Sequence, residues 1–136
     1  MGARADKSTD ELAIRSLLEH WASAVRAKDY PAILAHHAPA LRMFDVPPPI
    51  ESRGLEEYRR TWDLFFSTSE HPVVFDFDDL EITAGSDVAF AAARMHCEPT
   101  ENGRRGRLDF RLTVGLRKSA GQWLITHEHH SIPAGS

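Results

Sequence analysis

The chain has 136 residues, 42% hydrophobic and 26% charged, a composition that fits one globular domain spanning 1–136. Its one cysteine, Cys97, excludes an internal disulfide and a cysteine-built zinc cluster. Sixteen basic against twenty acidic residues leave a formal charge of −4, which argues against a nucleic-acid partner, and no apolar run approaches the roughly 20 residues of a membrane span.

Met1 to Thr9 is polar and lacks the apolar stretch of a signal peptide, so a cytoplasmic location is expected. Flexible tails are expected at 1–7 and 134–136. Ser8 with Glu11 three residues on makes a capping box, and Ile14, Leu17, Leu18, Trp21 and Val25 then recur at helical spacing. That helix is predicted to end near Lys28. Asp29 caps a short second helix with Pro31 in its first turn, running to about His37. Ala40 to Val46 reads as a strand, ended by Pro47-Pro48-Pro49. A third helix opens at Ser52 or Gly54, carries Leu55, Tyr58, Trp62 and Phe65 on one face, and fades at Ser67 to Ser69.

Everything after Pro72 reads as strand: Val73 to Thr83, Val88 to Cys97, Arg107 to Lys118 and Gln122 to Ile132, with a polar loop at Thr100 to Gly106. Leu108, Phe110, Leu112, Val114 and Leu116 alternate with polar residues, the pattern of a strand with one buried face. Helices grouped before hairpin-connected strands predict an α+β domain, three helices packed on one face of a curved antiparallel sheet.

Three stretches carry a family resemblance: Trp21 to Asp29, Phe44-Asp45-Val46-Pro47 followed by Arg53-Gly54, and Gly121 to Ser131. The layout resembles the cone-shaped α+β fold of ketosteroid isomerases, SnoaL-type polyketide cyclases, scytalone dehydratase and nuclear transport factor 2. The last strand is similar to the association domain of calmodulin-dependent kinase. The resemblance covers nearly the whole chain, but this fold hosts enzymes and non-enzymes alike. In ketosteroid isomerases an Asp stands nine residues before the Gly that opens the next helix, and Asp45 and Gly54 reproduce that spacing. The resemblance implies a general base at Asp45. The oxyanion donors of that reaction are not reproduced: Trp21 replaces the phenol of the first helix, and Thr113 falls near the protonated acid of the penultimate strand.

Strict alternation in the last strand puts Trp123, Ile125, His127, His129 and Ser131 on one face and Leu124, Thr126, Glu128 and His130 on the other. The two apolar members suggest that the first face points inward. His127 and His129 then become candidate ligand donors or proton shuttles, and Glu128 and His130 face solvent or a partner subunit. The competing reading makes His127 and His129 structural and Asp45 a turn residue ahead of Pro47. A metal set of His127, His129 and Asp45 lacks a motif for its third ligand, and no metal or cofactor is expected. Trp21, Phe44, Tyr58 and Trp62 are candidate walls of a substrate cavity. Arg111 is either a cavity cation or, preferably, an outer-face residue. The expected function is an isomerase, cyclase or dehydratase acting on a small hydrophobic carbonyl compound. The alternative is a non-catalytic ligand-binding or oligomerisation module. A homodimer is expected, with Leu80 and Ile82 among its candidate contacts.

Overall fold

The computed structural model describes residues 3–135, with side chains described over 9–135. Three helices come first: α1 (Ala3–Arg26), α2 (Tyr30–Leu34) and α3 (Gly54–Ser67). They pack against a six-stranded sheet of β1 (His37–Phe44), β2 (Ser52–Arg53), β3 (Phe75–Ala84), β4 (Val88–Cys97), β7 (Leu108–Ser119) and β8 (Gln122–Ser131), ordered β2-β1-β8-β7-β4-β3. A separate hairpin pairs β5 (Thr100–Glu101) with β6 (Arg104–Arg105) in the stretch read as a polar loop. No helix among the described residues is long and apolar enough to cross a membrane.

α1 starts five residues before the predicted Ser8 cap, because residues 3–7 are good helix formers. The expected tail at 1–7 therefore overlaps the first helical turn, while Met1, Gly2 and Ser136 lie outside the described residues. Ile14, Leu18, Trp21 and Val25 are buried, as the helical spacing requires. The indole of Trp123 donates to Asp10 across 3.0 Å and ties α1 to β8. Asp29 caps α2 by accepting from the Ala32 amide. α2 is shorter than predicted: His36 takes φ of 61° and turns the chain directly into β1, which starts at His37 rather than Ala40. Pro39 has no amide to donate, and the pairing of β1 with β8 is irregular between His37 and Arg42, across that position.

β1 runs parallel to β8, so the sheet is mixed where an antiparallel one was expected. All other pairs are antiparallel. β7 buries Phe110, Leu112, Val114 and Leu116 on the predicted face. Leu80 and Ile82 pack against the core, which corrects their assignment to a subunit interface.

The decisive irregularity lies between β7 and β8. Leu116 pairs with Ile125, but Gly115 pairs with His127, leaving Thr126 without a partner. One extra residue on one strand is a β-bulge, and it inverts the inside-outside phase beyond it. Trp123 and Ile125 are buried before the bulge, and Glu128 and His130 are buried after it.

Candidate active site

A cavity of about 240 Å³ lies between α3 and the inner face of the sheet. Its walls are largely apolar and aromatic, with Trp62 and Phe65 from α3 and Phe75 and Phe110 from the sheet. Asp45, just past the end of β1, and His130 of β8 bring a carboxyl and an imidazole to it, the group types that general acid–base chemistry uses. Asp45 is half-buried, and its Oδ1 accepts the Val46 amide at 2.8 Å. One carboxylate oxygen thus serves the turn ahead of Pro47. The His130 ring stacks on Phe110, with centroids 5.9 Å apart and planes 7° from parallel. Trp62 meets it edge-on at 6.3 Å.

Behind His130 stands Glu128, fully buried. Its Oε1 meets His130 Nε2 at 3.0 Å, and its Oε2 meets His37 Nε2 at 2.6 Å. The Tyr58 hydroxyl also donates to Oε2 at 2.7 Å and accepts from the Trp21 indole at 3.0 Å. His37 Nδ1 faces the Ala35 carbonyl at 3.0 Å, and a carbonyl only accepts, so Nδ1 carries a proton. A second proton then lies between Nε2 and the Glu128 carboxylate. Burial by itself would raise Glu128, but the hydrogen bonds from His130 and His37 and their charges outweigh it and hold the carboxyl well below its usual range. Burial would likewise lower His130. The Glu128 hydrogen bond and charge, together with the Asp45 charge, outweigh that and raise it. The result favours the imidazolium form of His130, facing a cavity that Asp45, one residue past the Phe44–His129 pair of the neighbouring strand, also lines. Among the described residues Nδ1 of His130 has no hydrogen-bond partner, which leaves it for a ligand. Tyr58, desolvated and beside Glu128, is raised far above the ordinary phenol range and stays a donor.

The sequence-derived candidates divide sharply. Asp45 and Trp62 line the cavity. Tyr58 and Trp21 do not; they form the buried tier that holds Glu128. The inward placement of His127 and His129 is corrected, because the Thr126 bulge turns them to the outer face. There His127 Nδ1 meets the Arg42 carbonyl at 2.8 Å, and His129 is exposed. Phe44 shares that face, packing on His127 and His129 at 5.1 and 5.5 Å. His127 and His129 therefore do not converge with Asp45 on one ion. Arg111 is exposed and donates to Ser131 Oγ at 3.1 Å, the outer-face alternative. Glu128 and His130, expected to face solvent or a partner subunit, are buried instead, because the bulge inverts the count, and His37 carried no functional expectation. The available signal was Gly115, a glycine inside an otherwise apolar alternation, which marks a bulge opposite. Cys97 also lines the cavity, but burial first, with the Asp109 and Glu98 charges, pushes its thiol up to about 11 and keeps it a poor nucleophile.

A conical α+β fold with a half-open apolar cavity under its sheet defines a broad structural class. Within that class the chain belongs to the SnoaL-like domain family, whose match spans residues 14–135. It is 34% identical to an NTF2-like protein of unknown function from Pseudomonas putida KT2440, with 96% of this chain and 88% of that one covered and a TM-score of 0.80. An NTF2-like protein with a cystatin-like fold from Novosphingobium aromaticivorans shares 15% identity over 98% and 88% of the two chains, with a TM-score of 0.84. A ketosteroid isomerase-like protein from Erwinia carotovora atroseptica shares 20% identity over 88% and 93%, with a TM-score of 0.74. The two latter likenesses show the fold alone. No curated protein matches the chain.

Proposed function

We propose that the protein is a small enzyme that moves a proton next to a carbonyl group in a hydrophobic substrate. One observation carries this reading: Asp45 and His130 line the same apolar cavity, with the imidazole fixed in place by buried Glu128. In the first step the Asp45 carboxylate takes a proton from the carbon beside the carbonyl. The electron pair moves into a C=C bond, and the carbonyl oxygen becomes an enolate oxygen. His130 imidazolium hydrogen-bonds that oxygen or protonates it, so charge develops beside an oriented cation rather than in water. Glu128 is a positioning residue: it fixes the ring and favours its charged form. Returning the proton to another carbon gives isomerisation, attack of the enolate on a second carbonyl gives cyclisation, and loss of a β-hydroxyl as water gives dehydration. The scheme calls on no cofactor.

The test is hydrogen–deuterium exchange at the α-carbon of a panel of hydrophobic enolisable ketones in D₂O, followed by NMR. Exchange above the buffer rate, lost in Asp45→Asn, supports the reading. Ligand binding with no exchange across the panel would reject it in favour of a non-catalytic binding module.

We also propose that two copies pair through the outer sheet face. The helices leave that face uncovered, and it exposes Phe90 and, two residues away on the same strand, Val88. Sedimentation at micromolar concentration tests this; a single 15.3 kDa species would count against it.

A further inference from the structure

A second hollow, of about 430 Å³, adjoins the cavity and shares Asp45, Pro47, Thr61 and Leu64 with it. One side is a face of α3, since Glu57, Arg60, Thr61 and Leu64 recur at helical spacing. The other side is Pro47-Pro48-Pro49. Three prolines have no amide N–H, so that wall offers only carbonyl acceptors.

The side chains are mixed, but their charges are mostly paired off. Glu51 is engaged on both oxygens, by Arg42 at 3.2 Å and Arg53 at 3.4 Å. Arg60 is engaged by Glu56 at 3.2 Å. Glu57 accepts the Arg53 amide on Oε1 at 2.8 Å, and Asp45 accepts the Val46 amide on Oδ1. Among the described residues neither of these two carboxylates makes an ion pair, and each keeps one oxygen without a partner. Ser52 lines the same hollow at 5% exposure, and its hydroxyl has no hydrogen-bond partner among the described residues. Among the described residues lining the hollow, the carboxylates without an ion-pair partner are therefore Asp45 and Glu57; the donors left are the remaining N–H groups of Arg60, whose charge Glu56 offsets, and the Ser52 hydroxyl, which can act either way.

We propose that this hollow is a second subsite, taking the hydrogen-bond-donating end of a ligand, an ammonium or a hydroxyl, while the apolar body lies in the inner cavity. A carboxylate end is disfavoured: it would meet Asp45 and Glu57, find no donor in the proline wall, and have to compete with Glu56 for Arg60. The net charge of −4 acts in the same direction on an approaching ammonium. The inference rests on the inner cavity being the ligand site proposed above, and not on proton transfer there.

Three probes with a common phenylpropyl skeleton separate the possibilities: 3-phenylpropylamine, 3-phenylpropan-1-ol and 3-phenylpropionate. Each is titrated at pH 7 into ¹⁵N-labelled protein, wild type and Glu57→Gln, with dissociation constants read from amide shifts. The amine and the alcohol are expected to bind more tightly than the carboxylate and to shift amides at 51–52 and 57–61 as well as those of the inner cavity. The amine's advantage over the carboxylate is expected to fall about two- to fivefold in Glu57→Gln, the worth of a partly exposed ion pair. A carboxylate that binds as tightly as the amine would overturn the subsite. So would an amine advantage of unchanged size in Glu57→Gln, shifts confined to the inner cavity, or no binding of any probe at millimolar concentration. Failure of α-proton exchange leaves this affinity order untouched, so the two proposals fail separately.

Discussion

The two faces of β8 carry the same residue type in different physical states. Outside, His127 bonds a backbone carbonyl and His129 is open to solvent, with Phe44 between them. Inside, His130 is buried, stacked on Phe110 and bonded to a carboxylate of no exposure. Three histidines within four positions thus share a strand but not a chemistry. A charged imidazole survives burial only beside an opposite charge, and Glu128 supplies it two residues away on the same face. Strand alternation separates the two environments, and one unpaired residue, Thr126, decides which set lies inside.

Removing that residue tests where the inner set comes from. Deletion of Thr126 restores strict alternation, and Trp123, Ile125, Glu128 and His130 still fall on one face. What the deletion removes is the local bend of the bulge, so the variant is expected to fold cooperatively, with a lowered melting temperature, in thermal denaturation. A deletion variant that fails to fold would show that the bend itself is required.

Substitution within the folded protein sharpens the contrast between the faces. His130→Ala is expected to lower α-proton exchange by about 10²-fold or more, because the oriented donor is lost. His129→Ala is expected to keep the wild-type rate, since its ring lies on the other side of the sheet. Equal losses in the two variants would show that the outer histidines matter after all. Glu128→Gln keeps the shape and removes the charge. Its expected signature is an alkaline limb of the rate profile displaced to lower pH, because the imidazolium loses the partner that raises it. A lower rate with an unmoved profile would assign Glu128 to packing alone.

The smallest effect is on stability. Glu128 is held at about 2 against an ordinary 4.5, so its contribution is present above about 4.5 and lost as pH falls toward 2. His130 is raised above its ordinary 6.5, so its contribution is present below 6.5 and lost as pH rises through the higher folded value. Denaturant melts across pH are expected to show a plateau between these limits and a decline on each side. His130→Asn is expected to flatten the alkaline decline and to weaken the acid one, because the His130 hydrogen bond is the first of those that hold Glu128 down.

Much of the architecture was legible in the chain because it rests on repeating patterns. The spacing of Ile14, Leu18, Trp21 and Val25 and the alternation from Phe110 to Leu116 each average over several turns or pairs, so a single exception does not mislead. Asp45 was legible for another reason: a run of prolines and a helix-opening glycine held it at a fixed distance from the next element. The histidines were not, because their orientation depends on a count, and one bulge changes its parity for every later residue. Phe44, adjacent to Asp45 in sequence, went to the outer face for the same period-two reason.

The sequence by itself determined the order of helices and strands, the apolar faces that close the core, and an acidic residue at the end of the first long strand. Those features follow from local propensity and hydrophobic periodicity, which act over a few residues. Only the tertiary structure decided that Glu128 and His130, not His127 and His129, look inward, and that His37 and Tyr58 meet Glu128 from elements far apart in the chain. A buried carboxylate is tolerated only where several donors converge on it, and convergence across β1, α3 and β8 is a property of packing that no single stretch of sequence encodes.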